Sequence, residues 1–256
     1  ETHLDLDEVY FSNVLKWGYD PTGRTPYVGV QQLPAGHQLI HRGREGWTLT
    51  PYWDWNQIAF DPDLYSLLVQ ATANRLVGER APSLLLSGGL DSTILYKILT
   101  EVLERDVRIF HTDNGEQEFV DIALGGNYST LLKSSPVSFA DAVAMHQVPV
   151  DLGSMIPQAE LAKSLELEGF HMALSGDGAD ELFGGYQRAR LYDSQASDVF
   201  CELPYYHNPR LDRMMMAKTI ELRTPFLSPL VVKHALVIPW EGRTSTGTAT
   251  RMRWSP

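Results

Sequence analysis

The sequence predicts an α/β protein built on a doubly wound parallel sheet, with a small β appendage at its N-terminus. Three observations predict it. Short apolar runs alternate with segments carrying a helical period from residue 61 onward. Two glycine-rich turns directly follow two of those runs, at Ser87 and Ser175. The first part of the chain, residues 1–56, is instead rich in Gly, Pro, Tyr and Trp.

Within that first part, residues 28–30, 38–40 and 47–50 are strand-like pieces. Pro34-Ala35-Gly36 and Arg42-Gly43-Arg44 are the turns between them. The second part, residues 57–256, opens with Asp61-Pro62, which reads as a helix cap and first helical residue. Leu64, Leu67, Leu68 and Ala71 then share one helical face. Residues 83–86 form an apolar strand, and Ile94, Leu95, Ile98, Leu99 and Val102 mark the following helix. A second strand covers 107–112, a turn Asp113-Asn114-Gly115, a helix 118–124 and a third strand 128–132. Ser138 with Asp141 starts a helix reaching His146. Another amphipathic helix spans 159–167, and a strand spans 171–174. In a doubly wound sheet, ligands sit beyond the carboxyl ends of the strands, where both glycine turns would open.

Composition limits the function classes. The 256 residues include 43% hydrophobic ones, enough for a substantial core. The single cysteine, Cys201, excludes an internal disulfide framework and a cysteine-based zinc cluster. No apolar run approaches the ~18 residues of a membrane span. Residues 1–7 are too acidic for a secretory or transit peptide. The expectation is a cytoplasmic protein that binds neither membrane nor nucleic acid, because a formal charge of −11 repels phosphate backbones. The same field repels nucleotides, so a nucleotide site would need backbone N–H groups, a metal ion and a few cationic side chains.

Ser87-Gly88-Gly89-Leu90-Asp91-Ser92 lies between a strand and a helix. The glycines permit a sharp turn and close approach of backbone to ligand, and the helix start offers unpaired N–H donors to phosphate. Ser87 and Ser92 add hydroxyl donors. A carboxylate such as Asp91 repels phosphate unless it holds Mg²⁺, a hard cation that bridges to phosphate oxygens. An ordinary glycine turn capped by Asp91 and Ser92 would read the same way. No Gly-Lys-Ser or Gly-Lys-Thr occurs, which argues against ordinary γ-phosphate transfer. In residues 174–186, Asp177, Asp180 and Glu181 crowd three carboxylates among glycines. A metal or a general acid/base role relieves their repulsion; an exposed acidic turn is the alternative.

The first string resembles the pyrophosphate loop of the N-type ATP pyrophosphatases, which cleave ATP between the α and β phosphates. The second, Leu174-Ser175-Gly176-Asp177-Gly178-Ala179-Asp180-Glu181-Leu182-Phe183-Gly184-Gly185-Tyr186, resembles the asparagine synthetase signature, found in variant form in β-lactam-forming relatives. Residues 211–217 and 221–227 resemble the segment that follows it. There the methionines read as helix packing, and Glu221 and Arg223 as a pair near the active-site wall. Arg24-Thr25-Pro26-Tyr27, Leu33-Pro34-Ala35-Gly36-His37 and Tyr52-Trp53-Asp54 resemble the end of the family's glutaminase domain and its link to the synthetase domain.

The resemblance implies an adenine nucleotide alpha hydrolase-like, Rossmann-like fold. It also implies an ATP-dependent carbon–nitrogen ligase that adenylates a carboxylate, releases pyrophosphate and forms an amide with ammonia or an amine. By resemblance Leu86, Thr112 and Gly176 line the adenosine side of ATP, Ser87, Gly88, Gly89, Asp91 and Ser92 hold its pyrophosphate end, and Ser175 also belongs to the ATP- and pyrophosphate-binding set. Asp91 and Asp180 would bind Mg²⁺, and Asp177 would be catalytic. Two departures stand out. Glutamine-using members begin with a catalytic cysteine, whereas this chain begins at Glu1. The expectation is therefore no glutaminase activity here, with ammonia free, supplied by a separate glutaminase subunit, or replaced by a substrate amine. The family's C-terminal lysine also has no counterpart in the tail, where Arg243, Arg251 and Arg253 are the cations. Three readings remain open: an ammonia-dependent ligase acting on aspartate, an amide-forming or cyclising ligase on another carboxylate, and a catalytically impaired nucleotide-binding protein. Homo-oligomerisation is compatible with each.

Overall fold

The computed structural model describes residues 4–53, 63–78, 82–112, 117–126, 131–150, 153–186 and 196–244. Five short strands form the central sheet: β3 (Ser83–Leu85), β4 (Arg108–His111), β5 (Leu131–Lys133), β6 (Met172–Leu174) and β7 (Glu221–Arg223). All neighbours pair in parallel, in the order β5-β4-β3-β6-β7. The expected doubly wound sheet is present, with the direction of winding reversing between β3 and β6.

The three central strands β4, β3 and β6 feed both faces of the sheet. Leu84, Ile109 and Leu174 point into one core, while Leu85, Phe110 and Ala173 point into the other. This period-2 division, with both sides buried, is what parallel strands covered by helices require. The first core is filled by α2 (Leu64–Asn74), α3 (Leu90–Lys97), α4 (Gln117–Leu124) and α7 (Ala179–Phe183). The second takes Leu161 and Leu165 of α6 (Met155–Leu167). A third cluster joins Ala142 of α5 (Phe139–His146) to Met155, Ala159 and Met214. Leu67, Leu68 and Ala71 of α2 are buried, as their spacing predicts, and Ser138 caps α5 by accepting from the Asp141 N–H. The cap of α2 is Asp63, which accepts from the Ser66 N–H; the expected cap at Asp61-Pro62 lies outside the described residues, as does the turn at 113–115.

Further along, α8 (Ala196–Glu202) runs through a π-helical turn, Leu203–His207, into α9 (Asn208–Met216); α10 (Pro229–Val237) and α11 (Trp240–Thr244) follow. Met214 and Met215 are fully buried, as expected of packing residues, but Met216 is half exposed on the outer face of α9.

The N-terminal part differs from the all-β expectation. Glu8–Trp17 forms a helix, α1, capped by the Asp7 carboxylate and ended at Gly18, whose φ of +84° suits glycine. Tyr10, Phe11, Val14 and Trp17 recur at helical spacing there, though only Tyr10 is buried. Residues 28–30 form a turn instead of a strand. The other two strand-like pieces do pair: β1 (His37–His41) and β2 (Trp47–Pro51) make an antiparallel hairpin. This part leans on the rest through the Tyr10 hydroxyl, which donates to the Pro149 carbonyl at 2.9 Å, and through the Tyr19 and Tyr206 rings, 5.2 Å apart. The expected boundary at residue 56 falls outside the described residues.

Candidate active site

The reversal between β3 and β6 leaves a crevice at the carboxyl ends of these strands, and the two glycine turns flank it. Gly88 has φ of +79°, and a Cβ there would come within 2.6 Å of the Phe119 and Val120 backbone on α4. A side chain would push the loop off that helix. Across the crevice, a Cβ on Gly176 would meet the Ser92 nitrogen at 3.0 Å and Asp91 Cβ at 3.2 Å, so the two turns are already in contact. The loop is stitched by its serines: Ser87 Oγ lies 3.1 Å from Ser92 Oγ and accepts from the Gly89 N–H at 3.2 Å. Gly89 is the N-cap of α3 and has no side chain to cap its first turn.

A cavity of about 230 Å³ occupies the crevice. Leu86, Ser87, Gly89, Asp91, Ser92, Thr112, Ser175, Gly176, Asp177 and Asp180 all line it. Of the residues assigned from sequence to ATP, Mg²⁺ or catalysis, only Gly88 is not in the lining; it supports the loop from behind. The volume falls just below the ~300–1,000 Å³ common for small-molecule sites. Residues 113–116 and 187–195, which continue from the lining residues Thr112 and Tyr186, are outside the described residues.

Four carboxylates meet here. Burial pushes the Asp91 carboxyl up to about 7, and the neighbouring Asp180, Glu181 and Asp177 charges add to the effect. Burial also raises Asp177, opposed by a hydrogen bond from the Ser175 hydroxyl and by the Arg210 charge. Asp180 is pinned from the far side by Gly185, which it contacts so closely that any side chain there would displace it. The Gly184 and Gly185 N–H groups both donate to the Asp180 carbonyl, at 2.9 and 3.1 Å. The glycine pair after the acidic residues therefore has a packing reason.

Glu181, one of the three crowded acids, is 3% exposed and accepts from the Tyr186 hydroxyl at 2.7 Å. Several lining residues escaped the sequence reading. Tyr186 stands inside the quoted 174–186 string, so its signal was present. Phe110, His111, Gln158 and Leu161 also line the cavity. Gln158 and Leu161 sit on α6, far from either glycine turn in sequence, and no local pattern marks them. Glu221 and Arg223 do pair, through two contacts of 3.0 and 3.1 Å, but on the edge strand β7 and outside the described cavity lining. Among the described residues no group of three His, Cys, Asp or Glu side chains is arranged to hold a metal ion. No helix among them is long and apolar enough to cross a membrane.

Comparison with known proteins adds an independent line. The asparagine synthase family model matches residues 63–204 and 189–252, which include the whole crevice. A putative glutamine-hydrolyzing asparagine synthetase of Methanocaldococcus jannaschii is 30% identical over 197 residues, covering 70% of this chain and 36% of that protein. A probable glutamine-hydrolyzing asparagine synthetase of Acanthamoeba polyphaga mimivirus is 28% identical over 232 residues, covering 78% of this chain and 40% of that protein. The amidase chyE of Penicillium rubens is 26% identical over 207 residues, covering 65% of this chain and 30% of that protein. The chain thus spans well under half the length of these three relatives. With the family model covering most of its length and both glycine turns set at the switch point of the expected sheet, the chain belongs to the asparagine synthase family.

Proposed function

We propose that this chain is an ATP-dependent carbon–nitrogen ligase that adenylates a carboxylate, aspartate first among candidates, and forms an amide with ammonia. The observation that carries the reading is the convergence of Asp91 and Asp180 on one cavity at the strand ends, between two glycine turns. A carboxylate oxygen of the substrate attacks the α-phosphorus of ATP, and pyrophosphate leaves with the electron pair of the broken P–O bond. The amine nitrogen then attacks the acyl carbon, AMP departs, and the amine loses a proton.

The residues divide this work. The N–H groups at the start of α3 and the Ser87 and Ser92 hydroxyls would bind and orient the pyrophosphate end. Leu86, Thr112 and Gly176 would border the adenosine. Asp177, whose carboxyl is raised by burial, would take the amine proton. Mg²⁺ fits the donor set: Asp91 and Asp180 supply two carboxylates, and such ions commonly use one or two carboxylates plus phosphate oxygens and water. When bound, the ion would neutralise charge growing on the leaving pyrophosphate. Holding both reactants in one crevice would supply much of the acceleration.

Resemblance to a protein named an amidase supports a second reading, the same chemistry on a different carboxylate. Ammonia could equally arrive from a separate glutaminase subunit docked to this chain. The test is to measure AMP and pyrophosphate release with ATP, Mg²⁺, ammonium and a panel of carboxylates including aspartate. The expected result is stoichiometric AMP and pyrophosphate, abolished by Asp91→Ala. Formation of ADP and phosphate, or undiminished turnover in that variant, would refute the reading.

A further inference from the structure

Glu181 poses a question that the adenylation reading leaves open. It lines the same cavity as Asp91 and Asp180, yet no three carboxylates among the described residues converge on a common point. Its Oε1 is occupied elsewhere. The Tyr186 hydroxyl donates to it at 2.7 Å, and His207 Nδ1 lies 3.2 Å away. The His207 contact is off the hydrogen-bond axis, so the ring confines Glu181 by close contact and not by a directed bond. On its other side, His207 Nε2 meets Glu202 Oε2 at 3.3 Å, and the Tyr186 ring stacks on the imidazole at 6.0 Å. His207 and Glu181 are both about nineteen-twentieths buried, so little water competes for these contacts. His207 reaches this place because the π-helical turn Leu203–His207 separates α8 from α9.

We propose that His207 is a positioning residue: with Tyr186 it holds Glu181 away from Asp91 and Asp180, so that the cation site has two protein carboxylates and not three. Two carboxylates leave most coordination positions to phosphate oxygens and water, the arrangement suited to Mg²⁺ brought in with a nucleotide. A third carboxylate would make a more anionic, all-protein site that favours the larger, flexibly coordinated Ca²⁺ and holds it without nucleotide. His207 thus makes cation binding depend on ATP. The proposal rests on the reading of Asp91 and Asp180 as the cation ligands.

The test is nucleotide-free Ca²⁺ titration by calorimetry on the full chain, with thermal unfolding of each variant as a control. Glu181→Gln in the otherwise unchanged protein is expected to alter Ca²⁺ affinity by no more than about fivefold, the size of a through-space charge effect. His207→Ala is expected to tighten Ca²⁺ binding by about tenfold or more by releasing Glu181, and the double variant His207→Ala/Glu181→Gln to return to the original affinity. A merely structural role for His207 would not yield a gain that a second substitution cancels. If His207→Ala does not fold, Tyr186→Phe removes the other restraint and is expected to shift affinity in the same direction. A loss of affinity above tenfold in Glu181→Gln, or no gain in either releasing variant, overturns the proposal. Asp91→Asn separates the two levels. Unchanged Ca²⁺ binding in that variant would sink the ligand reading itself, whereas its loss alongside an unresponsive His207→Ala would sink only the role of His207.

Discussion

Asp91 carries a prediction that runs against the usual effect of altering an active-site acid. Its carboxyl is partly buried beside Asp180, Glu181 and Asp177, and it titrates near 7 in place of 3.8. Between these values the folded chain holds a proton that the unfolded chain has released. Stability must therefore fall as pH rises from about 4 to about 7, and it is fully present only below the unfolded value. The shift corresponds to a ceiling of about 4 kcal/mol, and residual solvent contact brings the expected effect to about 2–4 kcal/mol. Asp91→Asn removes the titrating group while keeping its shape. In metal-free buffer at pH 8 the variant should melt higher than the parent chain, by on the order of 5–10 °C for a domain this size. At pH 4 the two should nearly coincide. Mg²⁺ with ATP should reverse the order at pH 8, because the parent gains a ligand that the variant holds poorly. The assay is differential scanning calorimetry across pH with and without chelator. An Asp91→Asn chain less stable than the parent at pH 8 in chelator would refute the argument, since it would mean the carboxylate is already compensated.

Three further outcomes follow from the packing. Gly88→Ala must adopt a left-handed backbone and press a methyl into the Phe119–Val120 backbone, so it should lose about 3 kcal/mol of stability, and urea unfolding at the parent midpoint would contradict this. Arg223→Met removes donors to the Arg75 and Val77 carbonyls, at 2.6 and 2.9 Å, and the fork to Glu221; a loss of about 2 kcal/mol is expected, with Arg223→Lys only partly restoring it in the same assay. Tyr10→Phe leaves the Pro149 carbonyl without its donor, and chemical denaturation should register about 1 kcal/mol, with faster proteolysis of the N-terminal part.

The sequence by itself determined the alternation of strands and helices, the two glycine turns and the acids beside them. These are local facts: a 3.6-residue period at Leu64, Leu67, Leu68 and Ala71, or a glycine that must turn at residue 88, is written in adjacent residues. Resemblance then led to the family that comparison bears out. Other features depended on contacts between distant segments. The helix Glu8–Trp17 buries only Tyr10, so how it sits against the rest depends on single contacts such as that to Pro149. Gln158 and Leu161 reach the cavity only because α6 packs across the sheet. His207 had no metal-ligand spacing and no assigned role, yet it meets Glu181, 26 positions earlier in the chain, inside a buried network. Local spacing reports what a residue does within its own element. Which charges share a buried space is set by how the elements pack, and there burial and the neighbouring acids raise the Asp91 carboxyl well above its ordinary value.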